Sequence, residues 1–219
     1  MKQLLLFTLC ALLLLAPSES EADSNFGLGV KAGTLGIGLE ATWRALPWMD
    51  LRAGFNRHDY DNRGTHAGIP YNATLAFDNY YTTANLRFPL NPLRLTAGVF
   101  SNSNELQLTS AGDGRLEIGG STFNLADVGT LRGITSFSTT APYLGIGGDF
   151  TIFGRVGLNL DLGVLWQGKP RVTLNADGVL ASNPIFQSAL EAERRELDDD
   201  ISSYEAWPVF SLGIFVNFF

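Results

Sequence analysis

Apolar and polar positions alternate with a period of two along most of this chain. Between Val156 and Gln167 the even positions are Val156, Leu158, Leu160, Leu162, Val164 and Trp166. Of the odd ones, Gly157, Asn159, Asp161, Gly163, Leu165 and Gln167, only Leu165 is apolar. Successive side chains of an extended strand point to opposite faces, so this segment has one greasy face and one small or polar face. The pattern returns in Leu35, Ile37, Leu39, Ala41 and Trp43, in Leu93, Leu95, Ala97 and Val99, and in Phe210, Leu212, Ile214, Val216 and Phe218. Weaker versions run over 26–31, 51–60, 71–88 and 143–152. Eight strands are predicted. The fourth has a phase conflict: Leu75 and Phe77 in its first half fall out of step with Ala84, Leu86 and Phe88 in its second. A bulge near Asp78-Asn79 would reconcile the halves, as would a strand that protrudes above a bilayer with Leu75 and Phe77 outward.

The connections follow a rule. Those at 45–49, 88–92 and 153–155 are short. Those at 61–69, 109–141 and 173–205 are long, and only the first, at 32–35, breaks the alternation. Membrane barrels have an even strand count, short periplasmic turns and long outer loops. In the last long connection, Asn183-Pro184 reads as an N-cap and first helical position. Phe186, Leu190, Glu193, Leu197, Ile201 and Tyr204 then recur at three- and four-residue spacing beside a charged face. An amphipathic helix is predicted over 184–203, either as a brace on the rim or as a partner-binding element.

Composition narrows the class. Only 17% of the residues are charged, Gly numbers 24, and net charge is −7 from 15 Lys and Arg against 22 Asp and Glu. That balance argues against nucleic acid as a partner. An exported β-sandwich would also alternate, but its wet face would hold more Lys, Glu and Thr and less Gly. Here the polar face carries Glu40, Arg44, Arg52, Arg87, Arg94 and Asp161, charges of both signs that suit a narrow lumen filled by ion pairs. Trp43 and Trp48 at one end of the strands, and Trp166 and Trp207 at the other, suit two aromatic girdles around a lipid-facing band. Residues 1–22 have the form of a secretory signal peptide: Met1-Lys2, the apolar run Leu4 to Ala16, then Pro17 and small or polar residues. Cleavage after Ala22, with Ser20 as the second choice, would leave 23–219 as one barrel domain. Cys10 lies in the leader, so the mature chain would hold no thiol. After the leader no run reaches the roughly 18 apolar residues of a spanning helix.

The stretches KAGTLGIGLEATWRA, APYLGIGGDF, LDLGVLWQG, ALEAERRELDDD and WPVFSLG resemble a widespread group of proteobacterial outer-membrane proteins, similar in style to the OmpA transmembrane barrel. The resemblance covers residues 30–219. It implies an outer-membrane barrel and brings over no catalytic residue, because most members have no assigned function. It also implies an assembly signal in the last strand, an outward row of Phe210, Leu212, Ile214, Val216 and Phe218. Such chains usually end on that row, whereas here Phe219 follows.

Chemistry is sparse. A barrel hydrolase needs a histidine beside a serine with an orienting acid or amide. His58 is two strands away from Ser101 and Ser103, and His66 lies in a loop. The glycine runs at 33–38 and 145–148 lack the strand–loop–helix setting of a phosphate loop. Asp198-Asp199-Asp200 lacks the spaced ligands of a calcium loop and reads as a solvated face. No catalytic residue, metal or cofactor is expected. The reading is an all-β chain: an eight-stranded antiparallel up-and-down barrel, monomeric, in the outer membrane, with both termini periplasmic and long loops outside. Its partners would be outer-membrane lipid and lipopolysaccharide, and during biogenesis the assembly machinery and periplasmic chaperones. Its role would be structural or surface-interactive. The alternatives are a narrow or gated channel for small solutes and, third, an enzyme acting on lipid.

Overall fold

The computed structural model describes residues 25–66, 69–89, 92–110, 114–153 and 155–218. The expected leader, with its cleavage site, and Phe219 lie outside them. Eight strands close into a barrel: β1 (Phe26–Gly33), β2 (Gly36–Leu46), β3 (Met49–His66), β4 (Ile69–Arg87), β5 (Leu93–Asn102), β10 (Thr140–Phe153), β11 (Val156–Trp166) and β13 (Ala206–Phe218). Every neighbouring pair is antiparallel, and closure comes from β1 against β13, with Phe26 opposite Phe218 and Gly33 opposite Ser211. Closure leaves no free edge among the eight, which is what allows strands to satisfy their backbone groups in hydrocarbon.

The outward face confirms that setting. Leu28 is 58% exposed and Ile214 56%, and Val30, Ile37, Leu39, Leu144, Ile146 and Leu212 join them in a continuous apolar belt. A belt of this kind around a soluble monomer would be an aggregation surface; around a membrane barrel it is the lipid contact. Trp43, Trp48 and Trp166 are exposed at the ends of the belt, and Phe26 stacks on Trp43 with ring centres 6.4 Å apart. Trp207 is a correction. It turns inward and lies 5.4 Å from Phe77, because odd positions of β13 face the bore while Phe210 and Leu212 face out.

The barrel is taller on one side. The ladder between β3 and β4 runs unbroken from Met49 opposite Leu86 to His66 opposite Ile69, so β4 carries no bulge against β3. The phase conflict has the other cause, protrusion, with one amendment. Phe77 shares the inward face with Tyr81 and is buried, and Leu75 packs beside it, so both point inward rather than outward.

The long connection at 109–141 is also more than a loop. β6 (Glu105–Ser110) continues the line of β5 after a break at Ser103-Asn104, and β9 (Leu131–Ser136) leads into β10. β12 (Arg171–Ala176) extends β11 past Gly168, whose φ of 69° suits glycine. The upper part of β4, with β6, β9 and β12, forms a raised wall that continues the barrel sheet.

A small cap folds against this wall. The hairpin β7 (Arg115–Ile118) and β8 (Ser121–Asn124) leads to the one-turn helix α1 (Leu125–Val128). Helix α2 (Pro184–Ile201) starts where the sequence places it, with the Asn183 side chain accepting hydrogen bonds from the Ile185 and Phe186 amides. Phe186, Ala189 and Leu190 bury against Ile118, Leu125 and Val128 to make a second core, separate from the barrel interior. The helix is therefore a structural part of the cap rather than a free amphipathic segment.

Candidate functional site

The interior of an eight-stranded barrel is only wide enough to be filled by side chains, and here they fill it in layers. At the terminus end is a polar vestibule of about 340 Å³, lined by Arg44, Arg52, Arg87, Asp149, Asn159 and Asn217 among others. Above it lies an ion-pair layer. Arg52 reaches Glu40 at 3.0 Å, Asp50 at 3.1 Å and Asp149 at 2.8 Å. Arg94, 1% exposed, joins Asp161 at 2.6 Å and Asp149 at 3.2 Å. Arg87 contacts Asp149 at 2.5 Å, and its Nε lies 3.2 Å from Asp50 Oδ2 without a well-directed hydrogen bond. Lys31 meets Glu40 at 3.1 Å and lies 4.0 Å over the Tyr81 ring.

Among the described residues, then, four cations (Lys31, Arg52, Arg87, Arg94) face four carboxylates (Glu40, Asp50, Asp149, Asp161). Equal numbers of each sign let a buried cluster avoid an uncompensated charge, the costly case in a low dielectric. Neutral donors and acceptors complete the layer. Asn85 donates to Asp50 and accepts from Thr96, and Tyr81 donates to Glu40 at 2.9 Å. Gly147 gives the Arg94–Asp161 pair its room, since a Cβ there would strike both side chains.

Toward the loop end the bore turns apolar. Tyr81 stacks on Phe100 with ring centres 4.9 Å apart, Phe100 meets Tyr143 at 5.4 Å, and Leu35, Phe77, Ala141, Leu165 and Val209 pack with them. Beyond lies a belt of amides: Asn79 donates to Asn104, and Asn104 to Gln167. Between the ion pairs and the aromatic layer the free space shrinks to a cavity of about 30 Å³, room for no more than a few waters. A layer of charge, then rings, then amides occupies the bore.

Five of the six charged residues singled out from the sequence, Glu40, Arg52, Arg87, Arg94 and Asp161, come together in this layer. Arg44 does not: it lines the vestibule and makes no ion pair among the described residues, being nearer the strand end than the cluster. Sequence reasoning missed Lys31, Asp50 and Asp149. Parity held the clue for two of them, since Lys31 and Asp149 fall on the inward row of their own strands. Asp50 sits at the edge of the turn assigned to 45–49. His58 is on the inward face of β3, with Tyr60 at 4.3 Å, whereas Ser101 and Ser103 are exposed on the opposite face of the sheet. The three do not assemble. Asp198 accepts from the Val172 amide and pairs with Arg194, so the acidic run is partly tied into the cap. Hydrogen bonds from Arg194 hold the Glu191 carboxyl down to about 2, but the pair is exposed and adds little to stability.

No family model matches the chain, and no curated protein matches it. Solved structures do. CarO2 of Acinetobacter baumannii is 23% identical with a TM-score of 0.60, over 88% of this chain and 98% of that one. CarO of the same organism is 25% identical with a TM-score of 0.58, over 88% and 97%. A major outer membrane protein from Thermus thermophilus is 14% identical with a TM-score of 0.44, over 88% and 99%. The two CarO structures bear out the closed eight-stranded fold. Together with the apolar belt, the likeness supports an integral outer-membrane barrel. Identities this low bring over no ligand and no activity.

Proposed function

We propose that the protein is an outer-membrane barrel with a sealed bore that works through the cap at its loop end, on the outside of the cell. The observation that carries this reading is the filled interior, coupled to a loop end that folds around a core of its own. A pore-former spends its interior on water; here the interior is packed and the built surface is above it. Short turns at the terminus end and the elaborated loop end support a periplasmic placement of both termini. Phe210, Leu212, Ile214, Val216 and Phe218 stand as the outward row that the assembly machinery would read during biogenesis. The alternative of a narrow channel would require the ion-pair and aromatic layers to part together.

Orientation is tested with single cysteines, which the expected mature chain lacks. Val179 lies in the cap and is largely exposed, and Trp48 lies in a turn at the terminus end. A membrane-impermeant maleimide should label Val179→Cys on intact cells and Trp48→Cys only after lysis. Labelling of the second alone would invert the molecule.

A further inference from the structure

The cap does not close fully onto the wall. Between them is a cleft of about 350 Å³, within the size range of small-molecule sites. The wall contributes Leu108, Leu131, Gly133 and Leu174, and the cap contributes Leu116, Ile118 and Leu197. Leu108 remains 43% exposed although it lies on the inward face of the wall, so the cleft leaves open an apolar surface that the second core could have covered. Gly133 gives it depth: a Cβ there would meet only the tip of Leu174, at 3.3 Å, and the Leu108 Cβ, at 3.8 Å. Neither is backbone, so a larger residue would grow into open space.

Two acidic residues share this lining, Glu193 on α2 and the exposed Glu117 on β7, with no Lys, Arg or His among the lining residues. Neither has an ion-pair partner among the described residues. The neighbouring acidic residues Glu191 and Asp198 do have one, in Arg194. One Glu193 oxygen accepts from the Gly119 amide at 2.8 Å, which fixes the carboxylate between the hairpin and the helix. An apolar hollow bordered by a fixed, unneutralised negative charge is complementary to one kind of occupant.

We propose that this cleft binds a small cationic amphiphile: an apolar body of about ten heavy atoms seated on Leu108, Leu174 and Leu197, with one ammonium group directed at Glu193. The body gains by leaving water, and the Glu193 carboxylate selects the sign of the head group. The assignment rests on the reading of the cap as the working surface, but its test is separate from the orientation test.

The probe is phenethylammonium, titrated into the full mature chain in nanodiscs while Leu and Ile methyl resonances are followed. Saturable shifts at Ile118, Leu108, Leu174 and Leu197 are expected. The neutral phenethyl alcohol and the anionic 3-phenylpropanoate should bind at least about tenfold more weakly, as lost charge-assisted contacts imply. Glu193→Gln keeps an acceptor for the Gly119 amide while removing the charge, and should cost about tenfold. Gly133→Leu should fill the cleft and abolish the shifts. Equal binding of all three probes, or an unchanged affinity in Glu193→Gln, overturns the proposal even if Gly133→Leu does not fold. A protein labelled on the wrong face, yet showing these shifts, would sink the functional reading and leave the cleft assignment standing.

Discussion

At the scale of single residues, the bore is held by compensation. Arg94 is enclosed by Asp161, Asp149, Asn85 and Thr96, and its removal would leave carboxylates buried without their cation. Breaking one partner out of a buried ion cluster typically costs about 3–5 kcal/mol. Arg94→Met should therefore lower unfolding stability in lipid vesicles by about that amount. Adding Asp161→Asn should recover part of it, since one stranded charge then disappears. A loss below about 1 kcal/mol for the single variant would mean that solvent already reaches the layer. Parity made much of this layer legible. Glu40, Arg52, Arg94 and Asp161 sit on the polar rows of their strands, and those rows could face only inward once the other face met lipid. Parity also explains the misplaced tryptophan. Trp207 is an odd residue on a strand whose even residues face out, and its position near a strand end concealed that.

At the scale of elements, the strands were readable because each one repeats the same two-residue choice between lipid and lumen. The wall was not. Toward the loop end the outward face meets water and the inward face meets first the apolar top of the bore and then the cap, so the rule reverses, and Leu75 and Phe77 look out of phase although β4 continues straight. β6, β9 and β12 are short and half-buried, and in sequence they resemble loop. The helix was legible because Asn183 and Pro184 mark its start independently of its packing. The lipid-facing assignment gives a direct element-scale prediction. In a soluble protein, replacing an exposed leucine with arginine costs within about 0.5 kcal/mol. On a lipid-facing strand near mid-bilayer it costs about 2–4 kcal/mol. Leu212→Arg, on the outward row of β13, should show the larger loss when unfolding is measured in vesicles. Val179→Arg in the cap should show the smaller one. Equal small losses would place Leu212 in water.

At the scale of the whole molecule, one sheet serves two environments. Its lower part closes on itself and spends its interior on ion pairs and rings. Its upper part stays open on one side and spends its concave face on a cap and a cleft. That division is why the eight-stranded fold could be read from the sequence while the cap could not: closure is a repeated pattern, and the cap is a single arrangement built from segments far apart in the chain. It also sets the central claim, that the bore does not pass solutes. Single-channel recording of the purified, refolded protein in planar bilayers tests this most directly. The filled lumen predicts a flat baseline over a wide voltage range, with no steady current beyond that of the bare bilayer. Steady, ohmic openings from the folded barrel would contradict it.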